Sequence, residues 1–326
     1  MASVLNETYF HDEAAAFAAL EGILWPDGPI CPHCGVVGRA GKLEGVKDKR
    51  GNVRLGLWKC YTRECRKQFS VRKGTVFESS HLKLHQWFQV AYLLSASKKG
   101  CSSHQLARTL RVTVKTAWFA SHRIREAMRM GGLSPMGGAG EIVEVDETVI
   151  GKLEGAPKRP YQGYGQQWRN VVLALVERGG NVRTFHVGST TTGELVPIVR
   201  ANIQAETFVM TDEASWYRSL GESFAYHEAV NHTDKQYVRR DFSWHAGKMQ
   251  TLTITTNTVE GYFSIFKRGM KGVYQHCKER HLHRYLAEFD FRYNHRVRLG
   301  YGDMDRTAVA LRGIVGKRLT YRDSSA

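Results

Sequence analysis

Acidic residues and prolines are the scarce components of this chain. Its 326 residues hold 31 Asp and Glu against 47 Lys and Arg, a formal net charge of +16, and only seven prolines. So few prolines beside 42% hydrophobic residues exclude a disordered chain and describe a folded one. A long apolar run is missing near the N-terminus, where Ala14–Leu20 falls far short of the roughly 18 residues a membrane span needs. Met1–Tyr9 has neither a basic n-region nor an apolar h-region, so no secretory signal and no membrane partner are expected, and the protein is expected in the cytoplasm. Cysteine is sparse too. The six present do not read as three disulfides, because four group as two pairs while Cys101 and Cys277 stand alone.

Positive charge is abundant and unevenly placed. Residues 1–140 hold 21 Lys and Arg against 10 Asp and Glu, and residues 141–326 hold 26 against 21. The length suits two or three folded units. Clustered basic charge draws in a polyanion by its field and by counterion release, so the first part reads as a grip and the second as a tool. A solvated basic surface without function accounts for the charge equally well.

Tyr9–Trp25 places Phe10, Ala14, Phe17, Leu20, Ile23 and Leu24 at helical spacing before the stop Pro26-Asp27-Gly28. Cys31 and Cys34 follow as one knuckle and Cys60 and Cys65 as another, the second more widely spaced. Four thiolates on two facing turns give one tetrahedral, structural Zn²⁺ site. By analogy with zinc-finger peptides the metal supplies on the order of 10–16 kcal/mol of folding energy. Arg66 and Lys67, with Lys59, Arg63, Arg72 and Lys73, would turn a phosphate-facing surface outward from the second knuckle. Further on, Leu84–Leu94 reads as a buried helix. Ser102–Leu110 reads as a capped short helix, Arg111-Val112-Thr113 as a turn, and Val114–Met128 as a second helix with Val114, Ala117, Trp118, Ser121, Ile124 and Met128 inward. This is the layout of a helix-turn-helix, with Lys115, Thr116, Phe119, His122 and Arg123 facing a major groove. An ordinary helical hairpin has the same pattern. The glycine-rich stretch 131–140 cannot sustain a helix and marks a flexible boundary.

Beyond it the expected order is strand, strand, strand, helix, strand: Ile142–Ile150, Asn170–Glu177, Val182–Val187, Glu194–Ile203 and Thr207–Thr211. Asp146 stands in the first strand, on one face with Glu144 and Thr148, and Asp212 closes the last. A carboxylate within so apolar a strand is either a ligand or a costly buried charge. Glu260 lies on an expected helix, Thr258–Gly269. Lys267 returns to nearly the same face two turns later, and Asn257, one turn before Glu260, is a ligand or a cap. Three carboxylates from separate segments can hold two Mg²⁺ (or Mn²⁺) ions about 3.5–4 Å apart, an arrangement suited to phosphoryl transfer. With the basic charge and the cysteine pattern, the expected substrate is DNA. His276, His281, His283 and His295 are expected to serve packing or phosphate contact along a helix spanning Tyr274–Tyr293. Trp168, Trp216 and Trp244 are expected in the core, and Lys158, Arg159 and Tyr161–Gly165 form a basic loop of open role.

Val143–Thr148, Thr211–Ala214, Asn257–Gly261 with Lys267-Arg268-Gly269, His281–Leu286 with Phe291–Asn294, and the upstream Cys31–Cys34, Arg66–Ser70 and Lys115–Trp118 occur in an order that resembles insertion-sequence transposases of the zinc-ribbon ISXO type, relatives of the eukaryotic Merlin elements. The likeness covers roughly residues 10–295. It implies an α+β multidomain chain: helix plus zinc ribbon (1–78), helix-turn-helix (79–130), linker (131–140), a ribonuclease-H-like catalytic domain (141–300) and a C-terminal tail (301–326). It further implies Asp146, Asp212 and Glu260 as Mg²⁺ ligands, with Asn257 as the alternative third. Lys267, Arg268 and Lys271 would touch DNA backbone near the scissile bond, and a homo-oligomer would bind the inverted-repeat ends and the target duplex. A DNA-binding regulator without catalysis, or a nuclease or junction resolvase on the same fold, are the other readings. The intact acidic trio speaks against the first, and the zinc ribbon with the helix-turn-helix speaks against the second.

Overall fold

A computed structural model describes residues 3–157, 168–231, 238–245 and 248–321. The basic loop at Lys158, Arg159 and Tyr161–Gly165 and the Trp244 side chain lie outside the described residues. The chain divides into two compact units, one built from Met1–Arg129 with Tyr301–Ala326 and the other from Met130–Gly300.

The first unit opens with α1 (Glu13–Leu24), capped by Asp12, whose side chain accepts from the Ala15 N–H. Three short antiparallel strands follow: β1 (Ala40–Lys42), β2 (Trp58–Cys60) and β3 (Gln68–Phe69). Glu21 ties this small sheet to α1 by accepting from Trp58 Nε1 at 2.8 Å and Lys42 Nζ at 3.0 Å. Then come α2 (Leu84–Ala96), α3 (Ser103–Leu110) and α4 (Val114–Met128). Ser102 caps α3, Arg111 closes it in the left-handed region, and Thr113 caps α4, so the turn between the helices is set residue by residue. Leu106, Leu110, Ala117, Ala120 and Ile124 are buried.

The second unit centres on a five-stranded mixed sheet. Its strands are β4 (Ile142–Ile150), β5 (Asn170–Glu177), β6 (Val182–Val187), β7 (Phe208–Asp212) and β8 (Tyr226–Val230), in the spatial order β6-β5-β4-β7-β8. The first three form an antiparallel meander, while β7 and β8 run parallel to β4. Parallel pairing of β4 with β7 requires a crossover, which β5, β6 and α5 (Thr192–Asn202) supply. A separate hairpin, β9 (Arg239–His245) with β10 (Lys248–Ile254), leads into α6 (Asn257–Gly269), and α7 (Leu282–Asn294) follows. One face of the sheet packs Val143, Val145, Leu173 and Leu175 with Leu195 and Val199 of α5. The other packs Val172, Ala174 and Val176 with Val259, Phe263, Phe266, Leu286 and Phe289 of α6 and α7. Layers of helix on both faces explain why β5 is apolar almost without alternation.

Four expectations need correction. The histidine-bearing helix begins at Leu282 rather than Tyr274, because Gln275 takes a positive φ of 55° and ends the preceding π-helical turn, Met270–Tyr274. Stretch 131–140 is anchored in part: Met136 is buried, bonds Asn202 and Gln204 through its backbone, and is followed by Gly137 at φ +78°, where a Cβ would lie 2.3 Å from Thr207 Oγ1. Trp168 is exposed, because it precedes β5 instead of lying within it. The segment read as a tail folds into α8 (Asp303–Arg312), which packs on α1, α2 and α4 of the first unit. There Gly313 comes so close to Ala127 that a Cβ would meet its carbonyl oxygen at 2.3 Å.

Candidate active site and metal centre

The four cysteines converge. All their Sγ atoms lie within 4.8 Å of one another, with Cys31 to Cys65 and Cys34 to Cys60 both at 3.7 Å. A tetrahedral zinc with Zn–S of about 2.3 Å needs S···S edges of about 3.8 Å, which both of these pairs match. Burial pushes the Cys31 thiol up to about 11, whereas the Thr62 hydroxyl draws Cys60 down to about 7. Arg66 and Lys67 are exposed beside Cys65, with Arg66 at φ 47°.

The carboxylates are built into the second unit by strand register. Ile142, Val143 and Glu144 pair with Phe208, Val209 and Met210 in parallel, so continuing the register sets Asp146 level with Asp212 at the end of β7. Asp146 is half-buried, and its carboxyl is pushed up to about 8, first by burial and then by the negative charges of Glu147, Asp212 and Glu260. Asp212 accepts from the Ala214 N–H at 3.1 Å. Glu260 stands exposed in the first turn of α6, accepting from Thr256 Oγ1 at 3.0 Å, where the helix dipole favours an anion. Asn257 is exposed at the head of the same helix. The three carboxylates are not gathered within 4.8 Å as the thiolates are. An all-oxygen, acid-only donor set suits Mg²⁺ or Mn²⁺, and a cation there would replace the proton that Asp146 otherwise retains.

Glu144 is fully buried two residues before Asp146 on the same face of β4 and is not a ligand. Its carboxylate receives the backbone N–H groups of Thr258 (2.7 Å) and Val259 (3.0 Å) and the Thr258 hydroxyl (2.8 Å), all at the N-terminus of α6. Arg178, just past β5, donates to the same carboxylate at 2.6 Å and to the carbonyls of Thr253 (2.6 Å) and Thr255 (2.9 Å). Strand β4 therefore holds the helix that carries Glu260. On the opposite face Glu147 accepts from the Tyr217 hydroxyl and from Trp216 Nε1, and burial raises its carboxyl. The signal for Glu144 was already in the sequence as an acid within an apolar strand, but nothing local told a clamp from a ligand.

Lys267 is half-buried, and Arg268 and Lys271 are exposed, with Arg268 Nε donating to Ser264 O. Lys115 is exposed, its Nζ 4.6 Å from the centre of the Tyr321 ring, and Thr116 shares a 2.9 Å hydroxyl contact with Thr113. Arg123 and His122 do not face outward. Arg123 is buried, donating to Leu319 O and Glu78 O over the Phe119 ring, and His122 is buried against Trp118. Conversely Val114, expected inward, is exposed at the first turn of α4. His281 and His295 are buried, whereas His276 and His283 are exposed.

Residues 138–294 match the family model of the ISXO2-like transposase domain, and residues 11–68 that of the transposase zinc-ribbon domain. The chain is also 27% identical over 301 residues to a Halobacterium salinarum protein described as an uncharacterized protein in transposable element ISH50, a match covering 87% of this chain and 91% of that protein. Among the described residues no helix is long and apolar enough to cross a membrane.

Proposed function

This chain belongs to the zinc-ribbon ISXO-type insertion-sequence transposases, and on that premise we propose that it binds the terminal inverted repeats of an insertion sequence, cleaves DNA there in a metal-dependent reaction and joins the freed end to target DNA. The observation that carries the reading is the strand register that sets Asp146 level with Asp212, with the Asp146 carboxyl pushed up first by burial and then by the charges of Glu147, Asp212 and Glu260. Acids brought together on β4, at the end of β7 and at the head of α6 are costly for a fold to keep, and a divalent-cation site is the economical reason for them.

Asp146, Asp212 and Glu260 would hold two Mg²⁺ or Mn²⁺ ions, with Asn257 the alternative to Glu260. Bound there, the ions activate water and neutralise charge on the scissile phosphate. The chain's own residues fix position: Glu144 and Arg178 set α6 against β4, and Lys267 and Arg268 farther along that helix, with Lys271 in the turn after it, would hold DNA backbone. The strand order β6-β5-β4-β7-β8, with an antiparallel meander and two parallel additions, supports a ribonuclease-H-like catalytic domain over 141–300. The α3-turn-α4 pair, with Lys115 and Thr116 exposed or half-exposed, supports a helix-turn-helix that works with the zinc ribbon in recognising element ends. Joining two ends calls for a homo-oligomer on DNA, associated with the nucleoid.

The test is strand transfer by purified protein on a labelled duplex carrying the inverted repeat, with Mg²⁺ or Mn²⁺. Joined product is expected from the wild type and not from Asp146→Ala, Asp212→Ala or Glu260→Ala, and Asn257→Ala reports on the alternative ligand. Cleavage without joining would make the protein a nuclease, and binding without cleavage a regulator.

A further inference from the structure

A cavity of about 620 Å³ opens in the second unit beyond the carboxylates. Its floor is apolar and buried: Ile150 at the end of β4, Met270 just past α6 and Leu282 at the start of α7. Its rim carries four exposed cations, Lys152, Arg169, Lys271 and Lys278. Of the two carboxylates there, Glu279 already accepts from the Glu154 N–H at 3.1 Å. One polar group in the lining is deeply buried. Asn170, opposite Ile150 in the sheet, is only 3% exposed, and its Nδ2 donates to Lys152 O at 3.2 Å. That bond fixes the amide and leaves Oδ1 a buried acceptor with no donor among the described residues. Such an atom awaits a ligand N–H.

The cavity lies on the elements that carry the site. Ile150 follows Asp146 by four residues of strand, about 13 Å, and Met270 follows Glu260 by ten residues, about 15 Å at helical rise. An apolar slot, one hydrogen-bond acceptor and a cationic rim together match the face, the edge and the phosphates of a nucleotide.

We propose that this cavity receives one extrahelical nucleotide of the bound DNA, a few positions from the scissile bond. Its base lies over Ile150, Met270 and Leu282, a base N–H donates to Asn170 Oδ1, and Lys271, Lys278 and Arg169 hold the flanking phosphates. All four bases carry an N–H on the Watson–Crick edge, so Asn170 senses an unpaired base more than its identity. The proposal rests on the reading of DNA as substrate.

The test uses the full-length zinc-loaded protein, with Ca²⁺ replacing Mg²⁺ so that DNA is bound but not cut. The duplexes span the inverted repeat and its flank, with single 2-aminopurines stepped through the scissile region. One position should brighten severalfold on binding, and the gain should fall by more than half in Asn170→Leu, Lys278→Ala and Cys277→Trp, the last filling the cavity from its wall. A mismatch at that position should tighten wild-type binding about tenfold, because it removes the cost of unpairing, but should not tighten binding of Cys277→Trp. Circular dichroism identifies any variant that fails to fold, and the remaining variants decide. Tight DNA binding without a bright position, or brightening unchanged in every folded variant, overturns the pocket and leaves the transposase reading intact. Failure to bind the duplex at all overturns both.

Discussion

Replacing Glu144 by Gln should cripple the protein although Glu144 stands outside the proposed ligand set. The carboxylate is fully buried and serves four donors, two of them backbone N–H groups at the head of α6, with Arg178 as counter-ion. Gln keeps the shape but turns an NH₂ toward groups that are themselves donors, and it leaves the guanidinium unneutralised. Breaking a buried ion pair from one side costs about 3–5 kcal/mol. The Arg178 side chain is 21% exposed and partly hydrated, which places the expectation near the lower end, about 3 kcal/mol. For a unit of this size each kcal/mol moves Tm by about 2–4 °C, so thermal denaturation should show a fall of about 6–12 °C. DNA cleavage, assayed well below the variant's Tm, should drop at least about a hundredfold, since small misplacements of catalytic groups cost that much. Arg178→Met in a double-mutant cycle should show coupling of about 1–3 kcal/mol. A Gln variant melting within a degree of the wild type and cleaving at its rate would refute the clamp.

Three further outcomes are expected. Chelation of zinc, or Cys34→Ser, should unfold the ribbon and abolish end-specific binding, with one zinc released per chain by colorimetric titration and the second unit's melting transition retained. Asp146 has a folded pKa raised from 3.8 to about 8, so without divalent cation it destabilises the fold progressively as pH climbs from about 4 through 8. Asp146→Asn should therefore match the wild type near pH 4 and exceed it in Tm by several degrees at pH 8, a gap that Mg²⁺ narrows; a gap independent of pH would refute this. Arg123→Ala should lower Tm by removing a buried guanidinium bonded to Glu78 O and Leu319 O, whereas Lys271→Ala should leave Tm unchanged and reduce the slope of log K against log salt by about one in DNA titrations.

What was legible in the sequence follows the range of the interactions. The ends of β4, β5, β6, α3 and α4 could be read because alternation, caps and turn residues are local, and Asp146 and Asp212 could be placed because they sit on β4 and at the end of β7. Arg123 was misread because its acceptors lie 45 and 196 residues away, and helical spacing alone points its side chain outward. α8 was passed over because its partners, α1, α2 and α4, are remote in the chain. Glu144 shared its strand face with Asp146, and only the arrival of α6 makes Glu144 a clamp. Asn170 offered no pattern at all, since an orphaned acceptor exists only once a cavity has formed around it.

The return of residues 301–326 to the first unit also has a consequence for synthesis. Strand-like pairings of Val76 with Ile314 and of Gly316 with Gly74, the bonds from Lys317 to Ala127 O and Arg129 O, and the α8 packing all wait on residues translated after the second unit. At about 5–20 residues per second a ribosome needs roughly 10–30 s to make the intervening second unit. During that interval the nascent first unit lacks its closing helix while the second becomes complete. A message truncated just after residue 300 would thus yield an entire second unit joined to an unfinished first one.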